Sequence, residues 1–153
     1  MTDKELKYTL LLKEATALLD GETDLIANMA NLAALIHEAM GFWWTGFYIV
    51  RADKDGAEQL VLGPFQGPIA CTRIALGRGV CGTSWQRRET IVVPDVEKFP
   101  GHIACSSESR SEIVIPVFKA DKVSAVLDID SRNLDTFDET DASYLEQIVK
   151  LLN

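Results

Sequence analysis

Long apolar runs, basic clusters and paired cysteine knuckles are all missing from this chain, and each absence narrows what it does. No hydrophobic stretch approaches the roughly 20 residues that span a bilayer. Residues 1–12 carry Asp3 and Glu5 among their apolar positions and lack the basic start and small-residue cleavage site of a secretory signal. A cytoplasmic location is the expectation. The formal net charge is −8, and the basic residues Arg87, Arg88 and Lys98 are scattered among acids. Nucleic acid and anionic membrane both call for a clustered basic face, so neither is expected as a partner. The three cysteines, an odd number, contain no C-x-x-C pair. That argues against a disulfide framework and against a zinc knuckle. Internal repeats and low-complexity segments are also lacking.

What is present reads as one domain over residues 1–153, with 47% hydrophobic residues to build a single core. Thr2 and Glu5 form a capping box for a first helix ending near Gly21. Thr23 or Asp24 caps a second helix that Gly41 stops, with His37 on its surface. From Phe42 the texture turns aromatic and β-branched. Phe42 to Val50 and Leu60 to Phe65 read as a hairpin closed by Asp53 to Gly56, and Pro64 to Pro68 as loop. Cys71 to Leu76 is a short strand, Gly77 to Gly82 leads into a helix through Trp85, and Thr90 to Val93 is strand. Asp95 to Ser109 is a long loop with room for a helical turn. Ile113 to Phe118 and Val123 to Ile129 form a second hairpin, and Asp138 caps a closing helix. Helices, then hairpins, then a helix, without βα alternation, define an α+β fold: a central antiparallel sheet with the N- and C-terminal helices packed on one side.

The chemistry-bearing residues gather between Cys71 and Glu112. Gly77-Arg78-Gly79-Val80-Cys81-Gly82 matches G-x-G-x-x-G, but that fingerprint carries meaning inside a parallel βαβ unit, and here the flanking strands belong to hairpins. A tight strand-to-helix turn whose amides cradle a small anion is the better reading. Cys71, Cys81, His102 and Cys105 offer four metal donors, yet they are dispersed, and no metal or other cofactor is expected. Redox thiols are the third reading. It needs an exposed thiolate, for which Cys105 in a polar loop is the candidate, and a movable partner, for which Cys71 at the end of a Pro-rich loop is suited. Cys81, beside a helix start, reads equally well as a small core residue.

Side chains alternate along a strand, so Trp44, Gly46 and Tyr48 share one face and make an aromatic wall. By the same rule Val123, Ala125, Leu127 and Ile129 point one way and Asp128 and Asp130 the other. Two acids on an apolar strand either face solvent or hold a cation. Whether Glu112 joins them depends on hairpin register: a three- or five-residue loop aligns it. Three clustered carboxylates then raise one another's pKa and keep one protonated as a general acid.

Taken jointly, Trp44-Thr45-Gly46-Phe47-Tyr48, the glycine run through Thr83, Gly101-His102-Ile103-Ala104-Cys105, Ser111-Glu112-Ile113-Val114-Ile115-Pro116 and Leu127-Asp128-Ile129-Asp130-Ser131 are specific. With them the chain resembles the free methionine-(R)-sulfoxide reductases, small cytoplasmic enzymes built on a GAF-type domain. The resemblance implies a GAF-like fold and free methionine-(R)-sulfoxide as substrate. It implies Cys105 as the attacking cysteine, Cys71 as its main resolving partner and Cys81 as a third cysteine of secondary part. It implies Glu112 as the acid that protonates the sulfoxide oxygen. Asp128 and Asp130 match carboxylates that bind the ammonium or support the acid, and Trp44 and Tyr48 match aromatics around the S-methyl group. Thioredoxin is the implied reductant, and a homodimer is compatible with the reading. The rivals are a GAF sensor that binds a small ligand without turning it over, and a zinc-stabilised binding module.

Overall fold

In the computed structural model, residues 1–102 and 107–153 are described. Cys105 therefore lies outside the described residues. Two helices open the chain. Helix α1 spans Asp3–Leu19, and Thr2 caps it: its hydroxyl accepts from the Glu5 amide at 3.1 Å while Glu5 accepts from the Thr2 amide at 3.2 Å. Helix α2 spans Leu25–Met40, with Asp24 accepting from the Ala27 amide and Gly41 closing it in the left-handed region at φ 68°. A glycine there avoids the Cβ strain that other residues meet. His37 sits half-buried on α2, its Nδ1 3.1 Å from the Thr45 hydroxyl, so it is a tie between helix and sheet more than a surface group.

Six strands follow: β1 Trp44–Ala52, β2 Glu58–Gln66, β3 Arg73–Ile74, β4 Ile91–Val93, β5 Ser111–Lys119 and β6 Lys122–Ser131. They form one sheet in the order β3-β2-β1-β6-β5-β4, and every neighbouring pair is antiparallel. Helix α3 spans Gly79–Arg87 between β3 and β4. Helix α4, Glu139–Val149, closes the chain with Asp138 accepting from the Thr140 and Asp141 amides.

The sheet divides two apolar layers. On one face Phe47, Ile113, Ile115, Leu127 and Ile129 pack against Leu11, Leu32, Ile36 and Leu145 of α1, α2 and α4, all but shut from solvent. Each such side chain contributes about 1.5–3 kcal/mol by leaving water. The other face carries Trp44, Tyr48, Val114 and Val126 beside Val80 and Cys81 of α3. The expected α+β architecture is thus present, with the N- and C-terminal helices on one side and α3 opposite them.

Two irregularities depart from simple alternation. Pro64 and Phe65, where the expected strand Leu60 to Phe65 and the expected loop Pro64 to Pro68 overlap, lie within β2. The β1–β2 register shifts between Gly46 and Tyr48 because β2 carries one extra residue there, and a bulge is where a strand tolerates proline. The second lies in β6. Lys119 pairs with Lys122 and Phe118 with Val123, but Val117 pairs with Ala125, leaving Ser124 as an extra residue. Beyond that bulge the alternation inverts. Val123, expected to face with Ala125, instead packs with Val126 on the opposite side.

Candidate active site

The bulge at Ser124 decides the site. The tip of this hairpin is a two-residue turn, Ala120-Asp121, both residues at positive φ. A two-residue turn alone would set Glu112 and the two aspartates on opposite faces. One extra residue restores the parity of a three-residue loop, so Glu112 stands directly across from Asp130, and Val114 across from Asp128. On the other flank of β6, Trp44 pairs with Asp130 and Gly46 with Asp128. Three acids and an aromatic wall therefore share one sheet face because three central strands are in this register.

Gly46 is small for a reason. A Cβ there would fall 2.5 Å from the Trp44 ring and 2.4 Å from Phe65 Cβ, so only glycine lets the indole lie across the strand. The Trp44 ring stacks on Phe65 at 5.3 Å and lies 6.1 Å from the Tyr48 ring. The polar ends of both aromatics are engaged: Trp44 Nε1 donates to the Pro68 carbonyl at 2.9 Å and the Tyr48 hydroxyl to the Cys71 carbonyl at 2.8 Å. These bonds tie the loop from Pro68 to Cys71 to the aromatic wall.

Helix α3 supplies the opposite wall. Gly82 packs its backbone against β3's outlet, where a Cβ would come within 2.5 Å of the Ala75 carbonyl oxygen. That close approach aims the helix start inward. Its first backbone bond runs from the Gly82 amide to the Arg78 carbonyl at 2.9 Å. The amides of Gly79, Val80 and Cys81 precede it and have no acceptor within the helix. Such a terminus favours an anion. The strands beside it are antiparallel, so the parallel βαβ setting of a dinucleotide fingerprint is not found here.

Between these walls lies a cleft of about 600 Å³ of non-atom space, its open mouth included. Trp44, Tyr48, Cys81, Glu112, Asp128 and Asp130, all singled out from the sequence, line it. Cys71 stands at its edge through the Tyr48 bond and is half-buried. Among the lining groups that had no sequence signal are Trp43, the exposed Ile69 at the rim, and Ser109, whose hydroxyl donates to Asp130 Oδ1 at 3.0 Å. A serine among several in a loop gives no hint of its partner.

The floor of the cleft is acidic, while Arg78 lines it at the start of α3. Glu112 and Asp128 are each 6% exposed, and Asp130 is half-buried. Among the described residues no salt bridge reaches any of them; both ion pairs belong to Lys4. Burial, followed by the negative charges of Asp128 and Asp130, pushes the Glu112 carboxyl well above the usual carboxylate range. Asp130 is pushed well up too, by burial and then by Asp128. Asp128 is raised by burial, but Glu112, Cys81 and Asp130 around it oppose the rise. Burial thus favours the protonated form of all three acids. The Cys81 thiol is buried and free, and burial with the Asp128 charge drives its pKa up. His102, also lining the cleft, is held toward its neutral form by burial. Asp128 Oδ1 is sealed from solvent, with no hydrogen-bond partner among the described residues. A buried acceptor left unmatched costs roughly 1–3 kcal/mol, which marks a place where a donor or a cation belongs.

A carboxylate floor with no ion-pair partner among the described residues, an amide-lined wall and an aromatic face define a small-molecule pocket of the GAF type. Residues 22–152 match the GAF domain family, and the chain belongs to it. Within that family it groups with the free methionine-R-sulfoxide reductases. It is 43% identical over 149 residues to the free methionine-R-sulfoxide reductase of Saccharomyces cerevisiae, covering 94% of this chain and 82% of the yeast protein. The X-ray structure of free methionine-R-sulfoxide reductase from Neisseria meningitidis in complex with its substrate superposes with a TM-score of 0.94 at 51% identity, covering 99% of this chain and 89% of that one. The GAF domain-containing protein A of Dictyostelium discoideum is 57% identical over 98% of this chain and 92% of its own length.

Proposed function

We propose that this protein reduces free methionine-(R)-sulfoxide to methionine, working in the cytoplasm as a single catalytic GAF-like domain. One observation carries the reading: three acids with no ion-pair partner among the described residues line a pocket whose other walls are an aromatic face and a helix N-terminus, where Arg78 also lines the cleft. A free amino acid sulfoxide brings the complement. Its ammonium answers Asp128 and Asp130, its carboxylate the amides of Gly79 to Cys81, and its S-methyl group the rings of Trp44 and Tyr48. Closing a pocket on both backbone charges selects the free amino acid over a residue within a polypeptide.

Chemistry then proceeds with Cys105 as nucleophile. Its thiolate attacks the sulfoxide sulfur as Glu112 delivers a proton to the sulfoxide oxygen. Oxygen leaves the substrate for Cys105, giving methionine and a cysteine sulfenic acid. Cys71 condenses with that sulfenic acid, releasing water and forming a disulfide. The dithiol of thioredoxin reduces the disulfide by exchange and becomes oxidised in turn. General acid assistance from Glu112 contributes ~10²–10⁴-fold. Cys81, buried among the acids with a raised pKa, is a poor nucleophile and has at most a supporting part.

The test is NADPH consumption coupled through thioredoxin and its reductase, with free methionine-(R)-sulfoxide as substrate. Turnover by the wild type and none by Cys105→Ser is expected. Absent turnover by the wild type, or undiminished turnover by the variant, would remove the proposal. Peptide mapping of oxidised protein should recover a Cys71–Cys105 link; a Cys81–Cys105 link alone would reassign the resolving cysteine.

A further inference from the structure

The floor of the cleft holds a group of donors that the proposed reduction leaves partly unused. Cys81 Sγ and one carboxylate oxygen each from Glu112 and Asp128 lie within 4.8 Å of one another, and all three residues are buried. They come from different elements: Cys81 from the first turn of α3, Glu112 from β5 and Asp128 from β6. The residue opposite Asp128 on β1 is Gly46, which has no side chain to reach into the space. Asp128, whose Oδ1 has no exposure and no hydrogen-bond partner among the described residues, lines the same cleft. That orphaned acceptor is a second, separate sign that a positively charged guest belongs here.

We propose that Cys81, Glu112 and Asp128 form a binding site for a thiophilic divalent cation, of which Zn²⁺ is the type, and that the bound ion closes the cleft to an ammonium-bearing substrate. The donor set decides the class of ion. One thiolate and two carboxylates suit zinc, cobalt or cadmium, which accept sulfur and oxygen in a tetrahedral shell. Magnesium and calcium demand all-oxygen shells with more ligands than three residues provide. Three protein ligands leave the fourth position to water. Ligand atoms around tetrahedral zinc stand roughly 3–4 Å apart, since Zn–S is about 2.3 Å and Zn–O about 2.0 Å. A modest inward movement of the three side chains therefore suffices. Binding exchanges the thiol proton, and any carboxyl proton, for the metal, and involves no change of oxidation state. The ion takes the place of the substrate's ammonium at Asp128 and withdraws Glu112 as a proton donor. The site also gives Cys81 a purpose that a supporting part in thiol exchange does not. Binding of the ion stands on the geometry alone; only the competition with substrate rests on the proposed activity.

The experiment uses the full chain, reduced and stripped of metal. Zn²⁺ is titrated by calorimetry and Co²⁺ by absorption, where a sulfur-to-cobalt charge-transfer band reports thiolate ligation. One equivalent of either ion with the charge-transfer band is expected. Asp128→Asn, which keeps shape and fold, should weaken binding at least tenfold. Cys81→Ala should lose the band, while Cys71→Ser and Cys105→Ser should each keep it. Melting curves of all variants establish that they are folded. Failure of the wild type to bind either ion overturns the site. So does a band that survives in Cys81→Ala and vanishes in Cys71→Ser or Cys105→Ser. In the coupled assay, Zn²⁺ should raise KM for the sulfoxide several-fold with little change in kcat. An effect on kcat alone overturns the shared position while leaving the metal site standing. Should the wild type show no reductase activity, the calorimetric and spectroscopic arms decide the site by themselves.

Discussion

Glu112 shows at the level of one residue how function and stability oppose each other in this fold. Its carboxyl is buried beside two other acids, and its pKa in the folded protein lies well above the usual value. A raised acid means that folding favours the protonated form. The corresponding stability is fully present below the ordinary glutamate pKa and is lost as pH climbs toward the folded value. Glutamine keeps the shape and never ionises. Glu112→Gln should therefore melt higher than the wild type at about pH 8 and lose that advantage toward about pH 4. Turnover of methionine-(R)-sulfoxide should fall ~10²–10⁴-fold in the same variant. Melting curves across this pH range, with steady-state kinetics beside them, check both halves. A variant less stable than wild type throughout the range would contradict the assigned burden on Glu112. The identity of such residues was legible from alternation and from family motifs. Their partners were not: Ser109 on Asp130 and the Pro68 carbonyl on Trp44 are meetings between loop and strand that no local pattern encodes.

The β5–β6 hairpin is the element on which the site turns. The sequence placed both strands and both aspartates but left Glu112's face open, because register depends on loop length together with any bulge. The bulge at Ser124 has no signature of its own: a serine between Val123 and Ala125 reads as ordinary alternation. The same limit explains Pro64, which the sequence leaves between strand and loop until the β1–β2 bulge gives it a place in the strand. At the tip, Ala120 and Asp121 adopt φ 50° and 62°, as a two-residue turn of the primed type requires. Alanine in that region carries strain of roughly 1–2 kcal/mol. Asparagine and glycine tolerate it. The double change Ala120→Asn with Asp121→Gly should thus stabilise the protein by about 1 kcal/mol, read from urea unfolding. The tip stands apart from the acids, so substrate KM should not move. A loss of stability would mean that the native pair makes a contribution other than turn geometry.

For the molecule as a whole, the sheet works as a partition. The larger apolar layer, built with α1, α2 and α4, lies on one face, while α3 and the loops cover a smaller apolar layer and shape the cleft on the other. Lys4 and Tyr8 of α1 both bond Asp141 of α4, at 2.7 and 2.6 Å, tying the helical layer together far from the cleft. Such a division lets the cleft carry uncompensated acids while the opposite layer supplies the stability that holds them. It also predicts independence. Leu145 is fully buried among the helices, and Leu145→Ala should cost about 2–5 kcal/mol by leaving a cavity. Asp128→Asn removes a charge from the other face and should change stability little or raise it at neutral pH, since burial works against its ionised form. The two positions share no packing layer, so the double variant should equal the two single effects within ~0.5 kcal/mol. Binding should divide the same way: Leu145→Ala should keep the affinity of the folded fraction for methionine-(R)-sulfoxide, and Asp128→Asn should lose most of it. Urea titrations of the four proteins, with and without sulfoxide, measure both. A departure from additivity beyond ~1 kcal/mol would mean that the strands transmit packing strain across the sheet, and that the cleft's geometry depends on the tightness of the helical layer behind it.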